Sequence, residues 1–201
     1  MLFRSWGVDD DGNGYVDDIY GLNTLEQNGN ISWNNIRYDA EGKYTGDVGH
    51  GTHVAGIIAA VNNNGEGISS IAGGSGNGDG VRIMSVQIFQ ENTGIADARI
   101  AAGIEYAADM GAAILQCSWG LPVMWISDGG YENNTGKLYI EAIKYFVECS
   151  DNGVMDGGVA IFAAGNESLM YACYPGAYNE FISVTAIAAD GLPTGYTNYH
   201  Y

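Results

Sequence analysis

The chain is organised around the stretch Gly49-His50-Gly51-Thr52-His53-Val54-Ala55-Gly56, which leads into the apolar run Ile57-Ile58-Ala59-Ala60. The small residues allow a loop to turn tightly into a helix, and the apolar run predicts that this helix is buried. His50 would then lie in the first turn, where the positive end of the helix favours a neutral imidazole. Such an imidazole can act as a general base, whereas a buried helix with two structural histidines is the alternative interpretation.

His53 lies one helical turn beyond His50, and the pair raises the question of a metal site. A two-histidine zinc site on a helix uses i,i+4 spacing with an intervening glutamate, as in His-Glu-x-x-His, and Thr52 offers no such base. We therefore expect His53 to be buried and hydrogen-bonded rather than to bind a metal. Asp47, which precedes His50 by three residues, is interpreted as a capping or solvated carboxylate near the helix mouth.

The bulk composition is that of a globular, strongly acidic protein. A chain of 201 residues with 46% hydrophobic residues is long enough to bury a sizeable core, and we expect residues 1–201 to form a single domain. The net charge of −17 argues against nucleic acids and anionic membranes as partners and suits a protein that binds cations. No apolar run reaches transmembrane length, so no membrane insertion is expected, and the first residues do not resemble a signal peptide.

The cysteine pattern predicts neither a disulfide framework nor a zinc knuckle. Cys117, Cys149 and Cys173 are odd in number and irregular in spacing. Because Cys117 lies within the apolar run 112–117, a buried free thiol is expected there rather than a nucleophile.

An acidic loop near the N-terminus follows the calcium-loop pattern D-x-[DN]-x-[DN]-G. Alternate positions offer hard oxygen donors, Gly14 permits a sharp turn, and Tyr20 stands where the usual bidentate glutamate would be. A solvated acidic turn is the alternative, but so many neighbouring carboxylates repel one another unless a cation is present. The sequence therefore predicts a structural Ca²⁺ site, whose ligands are Asp9, Asp11, Asn13, the Tyr15 carbonyl, Asp17 and Asp18.

Strands alternate with helices along most of the chain, which predicts an α/β fold. Continuous apolar runs are typical of strands in parallel sheets, and apolar residues at helical spacing mark the helices between them. This alternation indicates three layers, with a mostly parallel sheet flanked by helices. The expected strands are 19–22, 81–89, 112–117, 158–163 and 181–187, and the expected helices are the one that begins at His50, 95–110 (closed by Gly111) and 136–149.

Functional residues in such a sheet gather at the carboxyl ends of its strands. Ser118-Trp119-Gly120 directly follows one predicted strand, and Ala164-Gly165-Asn166 directly follows another. The glycine run at 75–80 lacks Gly-Lys-Ser/Thr and precedes a strand, so we interpret it as a connection rather than as a phosphate loop. A nucleotide-binding protein is for this reason a weak alternative.

Three segments of the chain together resemble the subtilisin-like serine proteases. The stretch around His50 is similar to the family's histidine motif, Gln116-Cys117-Ser118-Trp119-Gly120 to the segment whose backbone pairs with the substrate, and Ala163-Ala164-Gly165-Asn166 to the segment with the oxyanion asparagine. Tyr174-Pro175-Gly176-Ala177-Tyr178 and the acidic loop add to the resemblance, which extends from about residue 9 to residue 190.

The resemblance implies an incomplete subtilisin-like fold and a set of roles. His50 would be the catalytic base, and Asn166 would donate a hydrogen bond to the oxyanion. The residues that would bind the polypeptide substrate are Ser118, Trp119, Gly120, Ala164 and Gly165. The resemblance also implies an extracellular or cell-surface location.

Two elements of the family's pattern do not occur in this sequence. Nothing between Met1 and Gly49 resembles the Val-Ile-Asp-Ser/Thr-Gly strand that carries the catalytic aspartate, and the serine segment Gly-Thr-Ser-Met-Ala is absent. We therefore expect the sequence to be truncated at both ends and inactive on its own. By resemblance, the missing aspartate strand is central in the sheet, so the isolated chain is expected to be marginally stable or self-associating.

The leading hypothesis is therefore a central fragment of a secreted, calcium-binding, subtilisin-like serine endopeptidase. The alternative is a non-catalytic module of the same fold that binds Ca²⁺ and peptides. The flanking sequence distinguishes the two, because an aspartate motif upstream and Gly-Thr-Ser downstream indicate a protease. The substrate preference and the oligomeric state are not predicted by any pattern in the sequence.

Overall fold

The computed structural model describes residues 7–31, 40–41, 49–89, 97–121, 127–133, 136–171 and 173–199. The chain divides into two compact units, Met1–Ile95 and Ala96–Tyr201, which are described in turn. Helices and parallel strands in the described residues confirm the α/β class, whereas a single domain of residues 1–201 stays a prediction. Asp47 lies outside the described residues.

The first unit contains β1 (Gly21–Asn23), α1 (His50–Ala59) and β2 (Ser85–Gln87), and its two strands form a parallel sheet. β1 overlaps the strand expected at 19–22. β2 is shorter than the strand expected at 81–89, because β1 offers ladder partners to only three residues. Glycine is required at the start of β1: Gly21 has a φ of +138°, and a Cβ there would lie 1.8 Å from the Ser85 carbonyl oxygen.

α1 begins at His50, as expected, but it is not the buried helix that its apolar run indicates. None of its ten residues is buried, Ile57 is 45% exposed, and His53 is exposed. The segment that follows the helix returns to its C-terminal end, where the Ile71 N–H donates to the Ile57 carbonyl at 3.0 Å. This contact pairs a carbonyl of the last turn, while five of the ten helix residues are exposed and the other five are half-buried. The predictions that the helix and His53 are buried were therefore wrong.

The second unit is a three-stranded parallel sheet packed against helices. Its elements in chain order are α2 (Asp97–Asp109), β3 (Ile114–Cys117), α3 (Asp128–Glu132), α4 (Lys137–Cys149), β4 (Val159–Ala163) and β5 (Ile182–Val184). The strand order is β3-β4-β5, with Ile114 opposite Val159 and Ile161 opposite Ile182. Apart from α3, all these elements lie where the sequence predicts them.

The helices α2 and α4 pack against each other and follow from local sequence. Gly111 ends α2 with a φ of +75°, the left-handed conformation expected of a C-terminal glycine. α4 buries a stripe that includes Ile140, Ile143 and Phe146, whereas Leu138 in its first turn is 46% exposed. No helix among the described residues is long and apolar enough to cross a membrane.

α3 is a five-residue helix that periodicity alone does not reveal, because a single turn is too short to show it. The hydroxyl of its N-cap, Ser127, accepts a hydrogen bond from the Gly130 N–H at 3.2 Å. Distant partners also hold it: the Tyr174 hydroxyl donates to Asp128 at 2.8 Å, and the Tyr178 hydroxyl donates to Glu132 at 3.3 Å. These partners come from the segment 173–178, so tertiary contacts stabilise this turn.

The sheet of the second unit has one covered and one exposed face. Cys117 and Phe162 are 3% and 0% exposed, on the face toward α4. On the opposite face Ile114, Ile182 and Val184 are 57%, 49% and 52% exposed. Because the strands of a parallel sheet are normally covered on both faces, this apolar surface is unusual for a monomer.

The purified 201-residue chain is expected to self-associate through its sheets. In the part of the chain that the structure describes, β5 is the last strand of its sheet, and it carries exposed apolar side chains. Size-exclusion chromatography with light scattering is expected to give masses above that of a monomer, and these masses are expected to rise with concentration.

Lysine substitutions on β5 test this prediction. Ile182→Lys with Val184→Lys places charges on the exposed face and is expected to raise the concentration needed for association by about tenfold or more. Val154→Lys is the matched control, because Val154 is 76% exposed but lies outside the sheet. A wild-type chain that stays monomeric and melts in one sharp transition would contradict the prediction.

Candidate active site

The loops that follow β3 and β4 leave the sheet at the same edge. Cys117, the last residue of β3, pairs with Phe162, so Ser118 and Ala163 are neighbours at the carboxyl ends of their strands. An open cleft of about 230 Å³ lies here, lined by Gln116, Ser118, Ile161, Phe162, Ala163 and Val184. The structure therefore brings together the two segments that the sequence predicts to bind substrate.

The segment 173–178 ties these two loops together. Leu121 and Tyr174 exchange two backbone hydrogen bonds, at 2.7 and 3.1 Å. The Cys173 N–H donates to the Ala164 carbonyl at 3.0 Å, and the Ala164 N–H donates to the Val184 carbonyl at 3.0 Å. The backbone around Gly120 and Ala164 is thus held by bonds to neighbouring chain segments, which suits a rigid binding edge.

Trp119 anchors the loop after β3. Its ring centroid lies 5.8 Å from that of Tyr139 and 6.1 Å from that of Phe162, so the indole packs toward the core. Gly120 follows in close contact with the segment 173–178, because a Cβ there would lie 2.8 Å from the Cys173 Cβ. In this loop, Trp119 fixes the backbone that the sequence assigns to substrate binding.

Asn166 stands at the start of the loop after β4, with an exposed side chain. Gly165 before it has a φ of +108°, which turns the chain sharply away from the strand. The backbone N–H of Asn166 donates to Glu167 Oε2 at 2.9 Å. A carboxamide that is exposed on a fixed turn at the carboxyl edge of a sheet can offer its N–H to a bound carbonyl oxygen.

Two residues that hydrogen-bond to the backbone of this loop, Glu167 and Asn198, were missed by sequence reasoning. Glu167 accepts from the Asn166 N–H, and Asn198 is a fully buried asparagine whose side chain bonds to the loop. Adjacency to Asn166 could have suggested Glu167. Asn198 lies 31 residues from Glu167 in a polar stretch, so no local pattern marks it.

His50 is the first residue of α1 and is exposed. The helix begins after Gly49, whose carbonyl accepts from the His53 N–H at 2.7 Å. His50 belongs to the first unit and Asn166 to the second. Their cooperation in one active site therefore stays a prediction.

The acidic loop is built from carboxylates that hold backbone N–H groups. Asp9 accepts from Gly14 at 2.8 Å and from Gly12 at 2.7 Å, and these bonds lower the pKa of its carboxyl group. Asp17, at a φ of +58°, accepts from the Gly7 N–H at 2.8 Å. Asp18 is 6% exposed and accepts from the Asn13 amide.

The remaining predicted calcium ligands lie in the same loop. Asp11 accepts from the Asn13 N–H at 3.2 Å, and the Asn13 side-chain oxygen accepts from the Tyr15 N–H at 2.8 Å. The donor chemistry fits Ca²⁺, since carboxylate, amide and carbonyl oxygens are concentrated here. Across the described ranges, however, no three His, Cys, Asp or Glu side chains form a group that could hold a metal ion. The calcium site stays a prediction.

The two buried thiols, Cys117 and Cys173, are unsuited to nucleophilic chemistry. Burial raises the pKa of Cys117 to about 12, and only a hydrogen bond with Trp119 opposes this shift. Burial, followed by the nearby Glu167 carboxylate, raises the pKa of Cys173 to about 11. Both groups therefore stay protonated at neutral pH, and the prediction of a buried free thiol at Cys117 is confirmed.

Alkylation at pH 7.5 is expected to separate the three cysteines. Cys149 is exposed and is expected to react with iodoacetamide, whereas Cys117 and Cys173 are expected to react only after unfolding, because they are buried and protonated. Mass spectrometry of labelled peptides measures this order. Equal labelling of all three in the folded chain would contradict it.

Known proteins match most of this chain. The subtilase family model matches residues 8–201. Thermitase of Thermoactinomyces vulgaris is 30% identical over 151 residues, which cover 75% of this chain and 46% of thermitase. Halolysin of Haloferax mediterranei is 32% identical over 150 residues, which cover 75% of this chain and 24% of halolysin. A mutant of the protease domain of PatA aligns with a TM-score of 0.55 and 28% identity, over 77% of this chain and 48% of the PatA chain.

The chain thus spans about half the length of thermitase and less of halolysin. The parallel strands, the loops at their carboxyl edge and the family model over residues 8–201 agree with the motifs around His50, Ser118 and Asn166. On these grounds the chain belongs to the subtilase family.

Proposed function

We propose that this chain supplies the base and the oxyanion donor of a serine endopeptidase. The observation that carries the proposal is the meeting of Ser118-Trp119-Gly120 and Ala164-Gly165-Asn166 at one edge of a parallel sheet, in a chain of the subtilase family. An open cleft lies at this edge, and Ser118 and Ala163 are among the residues that line it. Membership of the subtilase family supports a polypeptide as the substrate.

In the proposed reaction, a serine hydroxyl attacks the scissile carbonyl carbon while His50 takes its proton. The carbonyl π electrons move to oxygen, and the Asn166 side chain donates an N–H to the resulting oxyanion. When the tetrahedral intermediate collapses, the C–N bond breaks and His50 gives the proton to the leaving amine. Water then hydrolyses the acyl-enzyme by the same sequence of proton transfers.

The serine and the aspartate of this reaction are not provided by motifs within these 201 residues. The decisive experiment therefore uses the complete gene product, meaning the protein encoded by the whole gene that contains this chain. A fluorophosphonate probe is expected to label the complete gene product at a serine and to leave the 201-residue chain unlabelled. Labelling of the 201-residue chain, or none of the complete gene product, would overturn the proposal. The second of these results would favour a non-catalytic peptide-binding module.

We also propose that the acidic loop binds a structural Ca²⁺ ion. The support is its donor set of Asp9, Asp11, Asn13, the Tyr15 carbonyl, Asp17 and Asp18, together with a net charge of −17. The family further suggests a secreted protein at an extracellular or cell-surface location. Detection of the complete gene product in culture medium or on the cell surface would support that location, and its confinement to the cytoplasm would contradict it.

Calcium is expected to raise the melting temperature of the complete gene product by about 5–10 °C at a free concentration about 100 times its Kd. The cation would relieve repulsion among the carboxylates in the native state. Calorimetry with Ca²⁺ and with EDTA measures the shift, and Asp9→Asn with Asp11→Asn is expected to remove it. Glu66→Gln, which removes a carboxylate outside the loop, is the matched control. An unchanged melting temperature would contradict the proposal.

A further inference from the structure

The buried asparagine Asn198 makes every hydrogen bond that its side chain can make. The residue is 0% exposed. Its Oδ1 accepts from the backbone N–H groups of Glu167 and Leu169, each at 3.0 Å. Its Nδ2 donates to Glu167 Oε2 at 2.6 Å and to Cys173 Sγ at 3.5 Å. Two acceptor and two donor positions are thus satisfied, which fixes the orientation of the carboxamide.

Glu167 links this carboxamide to the candidate oxyanion residue. Its Oε2 accepts from the Asn198 side chain at 2.6 Å and from the Asn166 backbone N–H at 2.9 Å. The same oxygen accepts from the Cys173 thiol at 3.4 Å. The position of the Asn166 backbone therefore depends on Glu167, and the position of Glu167 depends on Asn198.

Backbone hydrogen bonds join the chain around Asn198 to the loop after β4. The Asn198 N–H donates to the Gly165 carbonyl at 3.1 Å, and the Tyr199 N–H donates to the Leu169 carbonyl at 3.1 Å. Ser168 donates its N–H to the Tyr196 carbonyl at 2.9 Å. The contact is close, because a Cβ at position 165 would lie 2.3 Å from Asn198 Nδ2.

We infer that Asn198 is a positioning residue that holds Asn166 in place through Glu167. The inference rests on the proposed function, because the position of Asn166 affects a rate only if its carboxamide serves the oxyanion. Asn198 itself is fully buried, so the inference assigns it no contact with substrate. A side chain displaced by about 1 Å can lower a rate by about 10²-fold, so a buried support of this kind has a measurable effect.

Two substitutions remove different parts of the network. Asn198→Ala removes the acceptor shared by the Glu167 and Leu169 N–H groups. Asn198→Asp keeps an acceptor but replaces the donor to Glu167 with a second carboxylate, which would repel Glu167 and deprive the Asn166 N–H of its partner. Asn179→Ala is the matched control, because Asn179 is exposed.

Hydrogen exchange tests, independently of activity, whether Asn198 stabilises the loop after β4. In the complete gene product, Asn198→Ala is expected to speed exchange at the Glu167 and Leu169 amides by about tenfold or more, with α4 unchanged. Asn198→Asp is expected to do the same at the Asn166 amide. Unchanged exchange at these amides would overturn the inference. If Asn198→Ala also speeds exchange in α4, the substitution disturbs more than this network. The exchange rate of the Asn166 amide in the isosteric Asn198→Asp variant then tests the inference.

Kinetics then test the connection with Asn166. Asn198→Asp is expected to lower kcat by about 10- to 100-fold with KM changed by less than about threefold. In an Asn166→Ala background the same substitution is expected to lower kcat by less than about threefold, since its effect acts through Asn166. Equal losses in both backgrounds would overturn the inference. If the complete gene product is inactive but exchange is faster in the Asn198 variants, the proposed function is refuted. The inference that Asn198 holds the loop in place would still stand.

Discussion

Replacing His50 by alanine is expected to lower kcat of the complete gene product by about 10⁶-fold, the size of the loss when the equivalent histidine is removed from subtilisin. In the proposed reaction the imidazole takes the proton of the serine and returns it to the leaving amine, so its removal affects every step of acyl transfer. Substrate binding should change little, because the residues proposed to bind the substrate lie in the segments 118–120 and 164–165 and do not include His50. Steady-state kinetics with a chromogenic peptide would give kcat and KM separately.

His53 provides the matched control for this prediction. It lies in the same helix and is also exposed, but it has no proposed role in proton transfer. His53→Ala is expected to lower kcat by less than about tenfold. Losses of similar size in the two variants would show that the helix, and not the imidazole of His50, determines the rate.

The features that local chemistry controls could be predicted from the sequence. Apolar runs located β3, β4 and β5, because strands in a parallel sheet are apolar on both faces. Gly111 located the end of α2 through its left-handed backbone. The two loops at the carboxyl edge followed from topology, since parallel strands end on the same side of their sheet.

Features that depend on distant partners could not be predicted in this way. The burial of α1 was inferred from its apolar run, but burial requires other segments to pack closely around a helix, and in the structure none of the ten residues of α1 is fully buried. Asn198 looks like an ordinary polar loop residue until the fold brings its side chain into contact with Glu167. Periodicity reports what a segment could bury and does not report which other segments are present to cover it.

Replacing Asn166 by alanine is expected to lower kcat by about 10²- to 10³-fold with little change in KM, as loss of the oxyanion asparagine does in subtilisin. The donor acts on charge that develops only in the transition state, so the ground-state complex loses little. Asn166→Asp is expected to be at least as impaired, because a carboxylate offers no N–H and would repel the oxyanion. Asn179→Ala, an exposed asparagine elsewhere in the second unit, is the control.

Inhibitor binding distinguishes a lost oxyanion donor from a distorted cleft. A peptide aldehyde forms a tetrahedral adduct with the catalytic serine, so its affinity should fall in Asn166→Ala by a factor similar to the loss in kcat. A product-like peptide carboxylic acid forms no such adduct and should bind the variant and the wild type within about threefold. Equal weakening of both ligands would indicate that Asn166 shapes the cleft at the carboxyl edge of the sheet. If only the affinity for the aldehyde falls, the side-chain N–H of Asn166 lies at the oxygen on which negative charge develops.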